Sequence, residues 1–389
     1  MEIVVAMLLI CTCASGFLLF RRNTLPLSGR VTASQPQSQL QPQSQSQSQS
    51  QSPPPHGKLS IIIPARNEER NLPHLLRSLQ AQTIGHENME IIVVDDHSAD
   101  RTREIAEQFE VTVISCPSLP LGWTGKNWAV WNGYQQASGD LIAFLDSDVR
   151  LAPHAMQALL AARANNGGTI SVVPYHEAEK FYERLALIPN LLGLYAFTSP
   201  MERTNPQKGL YGSCIVTTTA DYERVKGHES VRAELLDDLN LGAQFMQAGV
   251  PVTNYIGHGT VSFRMYPGGI RSEIEGFSKG AVLSTSKLSL GTTLLVAVWL
   301  IGLIAAETAP FLLGTSWWLP FAVGYVTYTA QIYYFIHYTG RFGRWLPALH
   351  PISTVFFIYI MLYSIYQVVF FGRVAWKGRS IEVGGRSKT

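Results

Sequence analysis

Apolar and polar positions fall into three textures along this chain. Residues 2 to about 20, EIVVAMLLICTCASGFLLF, are almost continuously apolar, enough for a helix rising about 1.5 Å per residue to cross a bilayer. Residues 35–55, QPQSQLQPQSQSQSQSQSPPP, hold only Leu40 as a packing residue and read as a flexible tether. From Leu59, short apolar runs (LSIII, MEIIVVDD, VTVIS, DLIAFLDSD) alternate with helical stretches (NLPHLLRSLQAQ, RTREIAEQFE, Asn127 to Ala137). Such alternation predicts βαβ units, an α/β fold and a mostly parallel central sheet. The runs are apolar on both sides, as a sheet covered on both faces requires. Three further apolar stretches, about 289–313, 317–338 and 352–372, are each long enough to span.

The expected organisation is an N-terminal transmembrane anchor (1–22), a disordered Gln/Ser/Pro linker (23–57), an α/β domain (58–285), a C-terminal transmembrane region of about three helices (286–373) and a basic tail (374–389). No basic region precedes the first run and Arg21 and Arg22 follow it, which suits an uncleaved anchor with the next domain in the cytoplasm. Four spans put both termini outside, yet Arg373, Lys377, Arg379, Arg386 and Lys388 in the tail prefer the inside. Either one stretch is re-entrant or the tail breaks the rule.

Charged residues make up 15% of the 389, against about 25% in soluble domains, consistent with part of the chain in lipid. A formal net charge of +2 gives no global field for nucleic acid. Cys11, Cys13, Cys116 and Cys214 show neither disulfide-framework nor zinc spacing.

The strong polar signals follow strands, and in an open α/β sheet those ends converge on the ligand. In IIIPARNEE, Pro64 ends a strand and Arg66, Asn67 and Glu68 follow; the turn suits a nucleotide, or simply a helix cap. In IIVVDDHSADRT, Asp95 and Asp96 need hydrogen-bonding partners, and Asp96 can accept from a uracil or a ribose. In LIAFLDSDVR, Asp146 and Asp148 can face one hard cation, Mg2+ or Mn2+, or form a solvated turn. In RAELLDDLNLG, Asp237 and Asp238 open a helix, where the dipole alone favours them, and one of them can serve as a general base.

Together these motifs resemble the family 2 glycosyltransferases of GT-A fold, over roughly residues 58–285. The resemblance implies that Asp96 binds the nucleoside of a nucleotide-sugar donor, with a UDP-sugar expected. It also implies that Asp148 ligates the metal with Asp146 in support, and that Asp238 is the base, with Asp237 where the family usually has Glu. LPLGWTGKNWAVWNGYQQASGD is similar to the branch acting on carotenoid or hopanoid lipids, with Lys126 beside the donor phosphates. The family's chemistry is a single displacement with inversion. The Q/R-x-x-R-W motif of processive members is absent after Asp238, and RFGRW at Arg341 to Trp345 lies too far on, which favours transfer of a single sugar.

Other residues carry open readings. His258 suits a third metal ligand, an acceptor contact or a structural role. Gly209 to Cys214 suits an acceptor-side loop or a turn. Arg264 suits the diphosphate or a rim salt bridge, and Glu307 a functional or a structural acid. Lys279 and Lys287 are expected near lipid headgroups. The acceptor is expected to be a lipid. The alternatives are a nucleotidyltransferase, which lacks its Gly/Arg/Lys-rich phosphate loop here, and an inactive sugar-nucleotide-binding scaffold or transporter component.

Overall fold

The computed structural model describes residues 1–26, 57–285, 287–371, 373–376 and 379–382. Helix α1 (Glu2–Leu19) comes first. Strands β1 (Leu59–Ala65), β2 (Met89–Asp95), β3 (Thr112–Ser115) and β4 (Leu141–Leu145) then pair in parallel, linked through α2 (Leu72–Gln80), α3 (Thr102–Ala106) and α4 (Gly125–Gln135). Beyond them follow β5 (Val149–Leu151), α5 (Ala155–Asn166), β6 (Thr169–Val173), β7 (Tyr175–His176), α6 (Phe181–Arg184) and α7 (Leu187–Thr198). The domain closes with β8 (Cys214–Thr218), α8 (Thr219–Arg224), α9 (Asp237–Gln247), β9 (Val252–Ile256) and β10 (Val261–Phe263). The main sheet runs β3-β2-β1-β4-β8-β6-β9, with β8 antiparallel to both its neighbours; β5, β10 and β7 form a small second sheet. This is the expected mostly parallel α/β architecture.

Alternation of side chains along each strand builds two cores. Ile61, Ile63 and Val93 pack with α2 and α5 on one face, and Ile62, Val94 and Phe144 pack with α4 and α9 on the other. A Cβ on Gly133 would lie 2.5 Å from Ile62 Cγ2, so α4 reaches the sheet only because position 133 has no side chain.

Among the described residues four α-helices follow: α10 (Ile270–Thr285), α11 (Leu290–Ala306), α12 (Trp318–Thr339) and α13 (His350–Tyr366). α1 packs with α11 and α12 around Trp299, Tyr328 and Phe335. Gln331 ties them together, donating to Cys13 O at 2.7 Å and accepting from Trp299 Nε1 at 2.7 Å. Their outer faces expose Met7, Leu8, Val298, Ile301, Val326 and Leu362 to the surroundings. An apolar surface this extensive marks contact with a membrane or another protein.

The four apolar stretches all form helices, which differ in length and apolarity. Among the described residues two helices are long and apolar enough to cross a bilayer, Glu2–Leu19 and His350–Phe370. Leu290–Ala306 is apolar but shorter, at 17 residues, and α12 carries several tyrosines and Gln331 along its length. The expected linker boundary shifts. Asn23 O accepts from Ile256 N at 2.7 Å, Asn23 Nδ2 donates to Asn254 O at 2.8 Å, and Leu25 is buried, so residues 23–25 dock on the edge of β9. Residues 27–56 lie outside the described part. The basic tail begins with a hairpin, β11 (Arg373–Trp376) and β12 (Arg379–Glu382); Lys377, Arg386 and Lys388 lie outside the described residues.

Asn254 is the buried hub of the β9 edge. Its Oδ1 accepts from Ser171 Oγ at 2.7 Å, and its Nδ2 donates to Phe197 O and Gly209 O, both at 3.0 Å. Asn254→Leu strands these three partners and is expected to cost on the order of 3 kcal/mol, read as a lowered thermal midpoint in detergent.

Candidate active site

The loops after β1 and β2 are stitched into one unit. Asn67 N donates to Ser98 Oγ at 3.0 Å while Ala99 N donates to Asn67 Oδ1 at 2.8 Å. Glu68 N donates to Thr102 Oγ1 at 2.7 Å, and Glu69 N to Asp100 Oδ2 at 3.1 Å. Asn67 and His97 take the left-handed backbone these turns need, with φ of 55° and 53°. Arg66 Nη1 donates to Asp96 O at 2.7 Å and lies 3.7 Å from the Asp96 carboxylate. Pro64, Arg66, Glu68 and Asp96 line a cavity of about 700 Å³. Asp95 does not line it: its Oδ1 accepts from Ser98 N at 3.2 Å, so it shapes the turn, a correction to its expected place on the donor.

At the end of β4, Ser147 Oγ donates to Pro64 O at 2.9 Å, anchoring the turn to β1 while Asp146 and Asp148 line the same cavity. Lys126 stands in the first turn of α4, which Thr124 caps. Its Nζ lies 2.9 Å from Asp146 Oδ1. Burial alone would lower its pKa, but Asp146, Asp237 and Asp238 outweigh burial and hold the ammonium well above its ordinary value.

Asp237 and Asp238 open α9. Gly212 N donates to Asp238 Oδ2 and Leu239 N to Asp238 Oδ1, both at 2.9 Å. Burial, then the charge of Asp237, pushes the Asp238 carboxyl up to about 6, with Lys126 pulling the other way. Behind them, His228 Nε2 lies 3.8 Å from Asp237, and burial drives that imidazole down to about 4, leaving it neutral at pH 7. Its Nδ1 is 2.7 Å from the hydroxyl of Tyr222.

The cavity has two characters. Part of the lining is Arg66, Asp96, Lys126 and the four aspartates Asp146, Asp148, Asp237 and Asp238; part is Phe277, Val296, Leu300, Phe357, Ile360 and Met361. Tyr211 and Gly212 form part of the wall, favouring the loop reading of Gly209 to Cys214. α10 forms another part and brings in Lys279, which the sequence had suggested for headgroups; no local signal marks it as a cavity residue.

The third metal ligand is a correction. His258 lies outside the cavity, its ring 4.4 Å from that of His337 and 5.4 Å from Tyr175. Arg264 is engaged elsewhere, 2.7 Å from Glu179 and 2.8 Å from Glu183, which supports the salt-bridge reading. Glu307 lies 2.6 Å from His350 Nδ1 and accepts from Thr354 at 2.7 Å, clasping α11 to α13. Among the described residues no three His, Cys, Asp or Glu side chains are arranged to hold a metal. Asp146 and Asp148 supply two hard oxygen donors, which fits Mg2+ or Mn2+ only if a ligand diphosphate and water complete the shell.

Residues 60–223 match the Glycosyl transferase family 2 model. The chain is 34% identical over 345 residues to 4,4'-diaponeurosporenoate glycosyltransferase of Staphylococcus aureus (strain MRSA252), covering 84% of this chain and 89% of that protein. It is 33% identical to the enzyme of the same name from Staphylococcus haemolyticus, covering 84% and 88%. In three dimensions it is similar to the mannosyltransferase PcManGT from Pyrobaculum calidifontis, solved with GDP-Man and Mn2+. That match has a TM-score of 0.52 and 13% identity, over 95% of this chain and 99% of that one.

A Cβ on Gly212 would lie 2.8 Å from Asp238 Oδ2. Gly212→Ala is expected to displace this carboxylate and lower turnover by about tenfold or more. The thermal midpoint, measured beside it, should stay near wild type.

Proposed function

The chain belongs to glycosyl transferase family 2, and from that premise we propose a membrane-attached transferase. It moves one sugar from a nucleotide-sugar, with a UDP-sugar favoured, onto an apolar, membrane-partitioned acceptor of the carotenoid-acid type. The observation that carries this is one cavity whose lining combines Asp96, Lys126, Asp146, Asp148 and Asp238 with apolar side chains of α10, α11 and α13. The acceptor class rests on that apolar lining and on the substrate in the relatives' names.

Each side chain then has a task. Asp96 accepts hydrogen bonds from the nucleoside, with Arg66 holding it in place, while Pro64 and Glu68 border the same pocket. Asp146 and Asp148 hold Mg2+ or Mn2+, which when bound offsets the charge of the donor diphosphate. Lys126 lies beside that diphosphate. Asp238 removes the acceptor's proton, and Asp237 fixes the field around it. The acceptor oxygen attacks the anomeric carbon opposite the diphosphate, whose bond breaks with both electrons, so configuration inverts. The cavity suits an acceptor entering from the membrane, and Arg21 and Arg22 after α1 favour a cytoplasmic catalytic domain.

The test is nucleoside diphosphate release by the detergent-solubilised full chain across UDP- and GDP-sugars, with Mn2+ or Mg2+ and membrane lipid extract as acceptor source. One donor should support metal-dependent turnover, lost by about a hundredfold or more in both Asp148→Asn and Asp238→Asn. Absence of turnover with every donor would favour a sugar-nucleotide-binding scaffold instead.

The base must be ionised to work, and the Asp238 carboxyl sits at about 6. kcat/KM should therefore rise with pH through about 6 and level off above it. A profile flat between pH 5 and 8 removes Asp238 from the role.

A further inference from the structure

The helices α1, α11, α12 and α13 do not alternate in direction along the chain. A Cβ on Gly324 would lie 2.8 Å from Leu9, and the rings of Phe20 and Tyr338 are 5.2 Å apart, so α12 runs the same way as α1. α11 runs against both: Ser15 Oγ donates to Leu295 O at 3.3 Å, and Gly302 faces Thr12. α13 starts beside the far end of α11. There His350 Nδ1 lies 2.6 Å from Glu307, and its ring stacks on Tyr325 with centroids 4.7 Å apart. It finishes against α10, on the cavity wall, where Ser364 Oγ donates to Ser278 O at 2.7 Å. α12 and α13 therefore both run toward the catalytic domain, and the chain between them has to climb back.

Residues 341–349 make that climb. Gly340 bridges to His176 of β7 and Arg341 N donates to His176 O at 2.8 Å, so the segment leaves from the domain. It then retraces α12. The Tyr333 hydroxyl donates to Arg344 O, and the Tyr325 hydroxyl donates to Ala348 O at 2.6 Å. Tyr325 stands two helical turns, or about 12 Å, farther from the domain than Tyr333. The segment also closes on itself, with Ala348 N and Leu349 N both donating to Trp345 O at 3.1 Å. Carbonyls facing water need no such partners, whereas non-helical backbone persists at membrane depth only where its polar groups are satisfied. Phe342 and Leu346 pack into the core around α1, α11 and α12. Trp345 and Leu349 stay 80% and 51% exposed, which suits lipid better than water.

Resting on the membrane attachment proposed above, we infer that residues 341–349 form a re-entrant segment: they enter the hydrocarbon layer from the catalytic side, and α13 returns the chain to that same side. The partner of this surface is the bilayer. Arg341, Arg344 and Trp345 belong to its interfacial layer, and Leu349 lies deeper. β11 packs beside α10, so the hairpin that opens the basic tail stands on the catalytic side, as Arg21 and Arg22 do. The conflict between four spans and a basic tail then disappears. The further passage that restores the parity is non-helical, and too short and too polar to show as an apolar stretch.

The experiment labels the full chain, expressed in a bacterial host, with a membrane-impermeant maleimide in spheroplasts and in inverted vesicles. The unsubstituted chain is the blank, because Cys13, Cys116 and Cys214 are buried and Cys11 lies within α1. One chain carries Glu110→Cys, an exposed position of the catalytic domain; another carries a cysteine appended after Thr389. Both should label in the same preparation and neither in the other. Labelling of the two in opposite preparations overturns the inference and leaves the membrane attachment standing. A third chain carries a spin label at Leu349→Cys, read by relaxation with oxygen, which partitions into lipid, and with a water-soluble nickel chelate. Oxygen should act more strongly than nickel there, the reverse of the order at Glu110→Cys. The order found at Glu110→Cys, repeated at Leu349→Cys, overturns the inference. A chain that washes off the membranes in alkaline carbonate overturns both the attachment and the inference. Sugar transfer is read separately, by nucleoside diphosphate release.

Discussion

Crowding of negative charge in one cavity is the constraint around which this molecule is arranged. Asp96, Asp146, Asp148, Asp237 and Asp238 line a single space. Two unit charges about 4 Å apart interact by about 4 kcal/mol at the effective dielectric of a protein surface, so several such contacts rival the stability of a whole domain. The structure spreads this load. Arg66 takes Asp96, Lys126 takes Asp146, the main chain at Gly212 and Leu239 takes Asp238, and a buried neutral histidine stands behind Asp237. Burial, and after it the charge of Asp237, still holds the Asp238 carboxyl at about 6.

The same arrangement explains why the site stands at the seam between two kinds of core. The sheet presents the carboxylates at the ends of β1, β2 and β4, while α10, α11 and α13 bring apolar side chains to within one cavity of them. Neither half encloses the space alone. α10 is the shared element, touching the wall through Gly276 and the outer helices through Ser278.

How much of this could be read from the chain differs by kind of signal. The α/β alternation and the mostly parallel sheet were legible, because apolar runs of about five residues separated by helical stretches have few other uses, and Asp96, Asp146, Asp148 and Asp238, singled out after those runs, line one cavity. Asp95 and Asp96 could not be separated by residue type; only the hydrogen bond to Ser98 shows which one turns inward. His258 carried a generic ligand signal, but its direction is set by packing against α12, far along the sequence. The four apolar runs all became helices. Whether each crosses a bilayer depends on length and on internal polar residues such as Gln331, which an apolar count blurs. Lys279 was invisible as a cavity residue because nothing local tells which face of α10 looks inward.

The docking of Asn23 to Leu25 on β9 changes what the Gln/Ser/Pro stretch is for. A stretch joined to α1 at one end and to the domain at the other would set the height of the reaction centre above the bilayer. Here Asn23 and Thr24 already lie on the β9 edge of the same body that begins again at β1. Residues 23–25 therefore belong to the same body as the sheet, and the position of α1 against the α/β domain is fixed by that docking rather than by the stretch beyond it.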